Sequence, residues 1–151
     1  MTREALPDHV RRYVEACETM NAGSAEAFLA MMTDSVTFSD PFNRVEGKAA
    51  VRAVYDHMFR TLADVRFDIR RAAMDGDTLL MAWTFSARQS AMGRFSFPGA
   101  SEVWFTREGL VSAHADYWDS GSEIFAKVPV LGVGFRGLLG LFAAKLPPRA
   151  G

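Results

Sequence analysis

Apolar and polar residues recur along the chain with two periods, and the change of period divides the sequence. Leu6, Val10, Tyr13, Val14, Cys17 and Met20 fall on one face of a helix, with Pro7 suited to its first turn. Asn21-Ala22-Gly23 ends that helix, and Ser24 is placed to cap a second, short one running through Met32. A third helix is expected from about Lys48 to Leu62, with Val51, Val54, Tyr55, Met58, Phe59 and Leu62 as its buried stripe. Between the second and third helices, Val36-Thr37-Phe38-Ser39-Asp40-Pro41 alternates as a strand does and is stopped by proline. Phe42 to Gly47 reads as a loop.

Beyond Leu62 the alternation is strand-like throughout. Val65, Phe67 and Ile69 alternate with Arg66, Asp68 and Arg70, and Asp75-Gly76 forms a hairpin turn. Leu79, Met81, Trp83 and Phe85 then alternate with Leu80, Ala82, Thr84 and Ser86. Met92-Gly93 turns into a strand from Phe95 to Thr106, with a break expected at Pro98-Gly99. Glu108-Gly109 leads into the last strand, Leu110 to Trp118. Helices followed by an antiparallel meander define an α+β domain: one curved sheet wrapped by helices on a single side, a cone-shaped barrel. One domain is expected over residues 1–151, with 120–151 as a C-terminal helical extension. Its tail, Val128 to Leu146, is almost wholly apolar but holds Arg136 and four glycines. A membrane span needs about twenty apolar residues, and an internal arginine is costly there. The tail is therefore expected to pack on the domain, on a dimer partner or at a pocket mouth, and membrane contact is not expected.

Bulk composition removes several classes of function. Net charge is −1 with no basic stripe, so a nucleic-acid partner is not expected. Cys17 is the single cysteine and forms no internal disulfide. Met1-Thr2-Arg3-Glu4 has no apolar signal core, which points to the cytoplasm. His57, His114 and Asp116 are metal-ligand types, but no ligand-spacing motif ties them together. Nucleophile motifs and phosphate-binding glycine loops are also missing, so neither a metal nor a cofactor is expected.

Asp40 ends an apolar strand, and by alternation it shares the inward face of Phe38. A carboxylate in an apolar cavity is a general-base candidate, and Tyr13 supplies a donor for a developing oxyanion. On the last strand His114, Asp116 and Trp118 share one face, giving a second acid/base pair beside an aromatic wall. Each has a plainer alternative. Asp40 before Pro41 could close a turn, Tyr13 could fill the core, and His114 with Asp116 could form an internal pair that fixes the sheet.

Over His9 to Phe59 the chain resembles ketosteroid isomerase, of the nuclear transport factor 2-like superfamily. The matching elements are Arg12-Tyr13-Val14, Asn21-Ala22-Gly23, Asp34, Thr37, Asp40-Pro41, Gly47 and Arg52-Ala53-Val54-Tyr55. This resemblance implies Asp40 as general base, Tyr13 as oxyanion donor and Tyr55 as its support. The family's second oxyanion acid falls near Glu102 when counted from Gly109, and on Ser101 when Phe105 is aligned. His114-Ala115-Asp116-Tyr117-Trp118-Asp119 resembles the closing strand of the SnoaL-like polyketide cyclases and limonene epoxide hydrolases. There an aspartate matching Asp116 takes part in proton transfer. The hydrolases also carry an arginine and an aspartate two apart, whereas Arg88 is followed by Gln89 and Ser90.

The reading that results is a cofactor-free isomerase or cyclase acting on an apolar, ring-bearing small molecule. Asp40, Tyr13, Asp116 and His114 are the catalytic candidates, and Tyr55, Phe38, Trp83, Glu102 and Trp118 are the substrate-lining ones. Epoxide hydrolysis and non-catalytic binding of a hydrophobic ligand are the alternatives. The resemblance also implies a homodimer formed through the outer face of the sheet.

Overall fold

A computed structural model describes residues 5–127 and 131–142. The chain divides into two compact units, Met1–Trp118 and Asp119–Gly151. The first opens with α1 (Asp8–Glu18), α2 (Ala25–Leu29), β1 (Met32–Ser39), β2 (Arg44–Glu46) and α3 (Lys48–Thr61). Four longer strands follow: β3 (Ala63–Asp75), β4 (Thr78–Gln89), β5 (Gly93–Phe105) and β6 (Val111–Tyr117). All six strands form one unclosed sheet in the order β2-β1-β6-β5-β4-β3. Every pairing is antiparallel except β1 with β6, which is parallel.

Strand alternation places the core. On β4, Leu79, Met81, Trp83, Phe85 and Ala87 are all buried, and the residues between them are at most partly so. Phe97, Ser101, Val103 and Phe105 continue that face on β5. Val10, Tyr13, Val14 and Cys17 of α1 complete the core, with Val51 and Tyr55 of α3. Each large aliphatic side chain fully buried there contributes about 1.5–3 kcal/mol relative to exposure.

Four local expectations are corrected. The segment read as a loop, Phe42 to Gly47, contains β2, which pairs Val45 with Phe38. Three residues are too short to register a period. The second helix stops at Leu29, and Met32 already begins β1. Ser24 does not cap α2 through its side chain. Its Oγ accepts the Asn21 N–H at 2.9 Å and lies 2.8 Å from the Tyr55 hydroxyl. Finally, β5 runs unbroken through Pro98 and Gly99, opposite Thr84 and Trp83. The last β5–β6 pair is Ala100 with Tyr117, so Pro98 lies where β5 has become an edge on that side, the setting in which strands accommodate proline.

The second unit begins with α4 (Ser120–Glu123), whose first turn is capped by Asp119 accepting the Ser122 N–H at 2.9 Å. Hydrogen bonds from Ser122, backbone first, hold the Asp119 carboxyl below its ordinary range. A 3-10 turn over Phe125–Lys127 precedes α5 (Leu131–Phe142). Gly132 lies against that turn, where a Cβ would come within 2.3 Å of the Ala126 carbonyl oxygen. Arg136 donates to the same oxygen. Residues 128–130 and 143–146 of the expected tail helix lie outside the described residues. Among the described residues, no helix is long and apolar enough to cross a membrane.

Candidate active site

The register of the central strands brings four polar side chains of the sheet together under α1. His114 and Asp116 are two apart on β6 and share its inner face. Ser101 stands directly opposite Asp116 on β5, and Trp83 lies on the neighbouring β4. Tyr13 descends from α1. The Trp83 indole N–H donates to Ser101 Oγ at 2.7 Å, and the Ser101 hydroxyl donates to Asp116 Oδ1 at 2.5 Å. From the other side, His114 Nε2 lies 2.8 Å from the same Oδ1, and the Tyr13 hydroxyl lies 2.7 Å from His114 Nδ1.

A carboxylate only accepts, so His114 Nε2 directs a hydrogen at Asp116, and in the tautomer with hydrogen on Nε2 alone Nδ1 accepts the Tyr13 O–H. Two short donor chains thus converge on one oxygen, Asp116 Oδ1. The second oxygen, Oδ2, takes no hydrogen bond from a described residue. Tyr13 is 0% exposed, whereas the Asp116 side chain retains 16% of its surface. Burial, and to a smaller extent the nearby Cys17 and Asp116, push the Tyr13 phenol well above its ordinary range, so it remains a neutral donor. In such a low-dielectric network each group depends on its neighbours, and deleting one leaves another unpaired at a cost of about 1–3 kcal/mol.

Aromatic rings surround this relay. Phe38 sits opposite His114 with ring centroids 5.5 Å apart. Trp118 stacks on Phe97 at 4.3 Å, and the half-exposed Phe42 meets Trp118 edge-on at 5.3 Å. Phe67 packs against Trp83 at 5.5 Å.

The other expected residues stand apart from the relay or play different parts in it. β1 ends at Ser39, which is paired with Ala115, so the parallel register carries Asp40 and Asp116 to adjoining positions at the same end of the sheet. The Asp40 carboxylate, however, is held by its own turn. Oδ1 accepts the N–H groups of Phe42 and Asn43 at 2.7 and 2.6 Å, and the Asn43 side-chain amide donates to both oxygens. Tyr55 sends its hydroxyl to the Asn21 carbonyl at 2.8 Å, which ties α3 to the α1–α2 connection. Glu102 lies on the opposite face of β5 from Ser101 and accepts from the Tyr117 hydroxyl at 3.2 Å. Arg88 pairs with Asp64 at 3.2 Å, seven residues along β4 from the Met81–Ser101 pair, a separation of about 23 Å at the rise of a strand.

Two residues gain importance that periodicity alone does not give them. Ser101 is a hydroxyl at an inward position of an otherwise apolar alternation, Phe97, Val103 and Phe105, and that misfit is its signal in the sequence. Gly99 faces Trp83 across the strand pair, where a Cβ would fall 2.1 Å from the indole Cη2. Nothing local in the sequence reveals that approach.

Residues 10–114 match the SnoaL-like domain family. Among solved structures, a hypothetical protein with a ketosteroid isomerase-like fold from Catenulispora acidiphila superposes with a TM-score of 0.69 at 17% identity, over 82% of this chain and 93% of that one. An LEH-like epoxide hydrolase from M. tuberculosis gives 0.63 at 18% identity, over 89% and 92% of the two chains. A provisionally assigned SnoaL-like polyketide cyclase from Shewanella denitrificans also gives 0.63, at 13% identity over 74% and 88%. At these identities the likeness is one of fold. No curated protein is similar enough in sequence to match the chain.

Proposed function

The chain belongs to the SnoaL-like domain family, and from that premise we propose that it is a cofactor-free isomerase or cyclase that moves a proton on an apolar, ring-bearing small molecule. The observation that carries this reading is the pair of donor chains converging on Asp116 Oδ1 while Oδ2 is left open. Oδ2 is the base. It takes a proton from a carbon beside a carbonyl, and the C–H electron pair passes to the carbonyl oxygen as an enolate. In an isomerisation the proton returns to a different carbon. In a cyclisation the enolate carbon attacks a second carbonyl of the same molecule, a C–C bond forms, and the resulting alkoxide takes the proton back from Asp116.

The direction of the hydrogen bonds narrows the substrate. Every N–H and O–H of the relay is already aimed at Asp116 or at its partners, so the relay offers the enolate oxygen no donor. A carbon acid activated by the substrate itself, as a C–H between two carbonyls is, suits such a relay. Phe38, Trp118, Phe97 and Phe42 supply ring faces for such a molecule. Asp40 serves in this reading as the closure of its turn, and Tyr13 acts behind His114 and not on the substrate. A second copy docks on the outer face of the sheet, where Leu80 and Tyr117 are exposed.

The test is hydrogen exchange from cyclic 1,3-dicarbonyl probes in deuterated buffer. Wild type and Asp40→Ala should speed exchange above the rate in buffer alone, and Asp116→Asn should fall to the buffer rate. Acceleration that persists in Asp116→Asn removes Asp116 as the base. Absence of acceleration by wild type across a panel of probes favours the non-catalytic alternative.

A further inference from the structure

We propose that Gly99, Trp83 and Ser101 form a positioning unit that fixes the Asp116 carboxylate with Oδ1 held inward and Oδ2 presented outward. The inference rests on the proton-transfer reading of Asp116, which it deepens.

Asp116 is one residue from the end of β6, and Tyr117 beside it is 54% exposed. A carboxylate there has a broad, nearly two-fold torsion about its last bond. His114 alone does not fix that torsion, because a single hydrogen bond leaves the carboxylate a pivot. The second donor, Ser101, comes from the strand opposite and lands on the same oxygen at 2.5 Å. Serine hydroxyls are rotors, and an unguided one has several acceptors to choose from. The Trp83 N–H occupies a lone pair of Ser101 Oγ at 2.7 Å, which leaves the hydroxyl hydrogen to point at Asp116.

That arrangement needs the indole laid flat over residue 99. The Cβ of any other residue would sit 2.1 Å from Cη2 and 2.5 Å from both Cζ2 and Cζ3. Trp83 and Ser101 are each 2% exposed, so neither presents a surface to a substrate. The buried Trp83 N–H needs an acceptor in any case, and the acceptor it has is the hydroxyl that ends on Asp116. Gly99 therefore acts on Asp116 through two intermediates, without touching it.

The experiment reads the His114 tautomer by ¹⁵N chemical shifts in the full chain labelled at histidine, alongside probe exchange. Wild type should show hydrogen on Nε2 and an accepting Nδ1. Ser101→Ala and Gly99→Ala should both move the His114 signals toward a tautomer mixture, although Gly99 is remote from the imidazole. Ser101→Thr, which keeps the hydroxyl, should restore the wild-type pattern. In exchange assays, Ser101→Ala and Trp83→Phe should lower kcat by about 10- to 100-fold with KM little changed, as expected for a misaimed base. A folded Ser101→Ala protein with wild-type His114 shifts overturns the proposal, as does a Ser101→Thr that behaves like Ser101→Ala. If Gly99→Ala fails to fold, Trp83→Phe carries the same comparison. Shifts that behave as expected in a protein that exchanges no probe would instead retire the catalytic reading and leave the positioning unit standing.

Discussion

Tyr13 donates a hydrogen bond to His114 and is sealed from solvent, so its chemistry shows in stability before it shows in turnover. Burial also pushes the Cys17 thiol up. In an unfolded chain a thiol and a phenol release protons near their ordinary values, 9.0 and 10.0, whereas the folded chain holds both. Above pH 9 the unfolded state therefore binds fewer protons than the folded one, and stability falls as pH rises. Urea midpoints measured upward from neutral pH should decline across that window, and Tyr13→Phe or Cys17→Ala should each flatten part of the decline. At Asp40 the sequence shows an acid at the end of an apolar strand but not its occupation. Asn43 captures the carboxylate only because the chain leaves the sheet at Ser39. Asp40→Ala should cost about 0.5–1.5 kcal/mol in urea unfolding, through lost hydrogen bonds of the turn, while exchange at Asp116 continues.

At the scale of elements, long periodic stretches were legible and pairings were not. The alternation of β4 predicts its buried face residue by residue, because one side of that strand meets the core. The parallel pairing of β1 with β6 leaves no mark in either strand's period, since it depends on which edge remains free after the meander forms. Short β2 escaped for want of length. Gly47 illustrates a constraint of another kind. It precedes α3 with φ of +88°, ψ of 148° and its N–H on the Val36 carbonyl at 2.8 Å. A Cβ there would meet no atom closer than 3.7 Å, so the penalty of substitution is backbone strain alone. Gly47→Ala should lower unfolding stability by about 1–3 kcal/mol without moving the His114 signals.

For the whole molecule, family membership and fold follow from the ordered succession of helices and strands, whereas the relay depends on contacts between residues far apart in sequence. Tyr13 and His114 are 101 positions apart. No spacing rule joins them, and only the packing of α1 on the sheet does. The proposed second copy adds a test at this scale. Leu80→Asp, on the outer face, should halve the mass seen by light scattering and leave the tautomer pattern intact, and a wild-type protein that is already monomeric would dispose of the dimer.

The placement of β6 governs how the protein is made. It is the last strand of the sheet to leave the ribosome, yet it occupies the seam between β1 and β5. Until residues 111–117 emerge, the β1–β2 hairpin has no strand pairing with the meander, and an apolar strand edge stays open on each nascent half. A chain halted before Val111 thus yields a sticky fragment and not a weakened copy of the fold, and a synthetic peptide spanning that strand is the natural reagent for rescuing it.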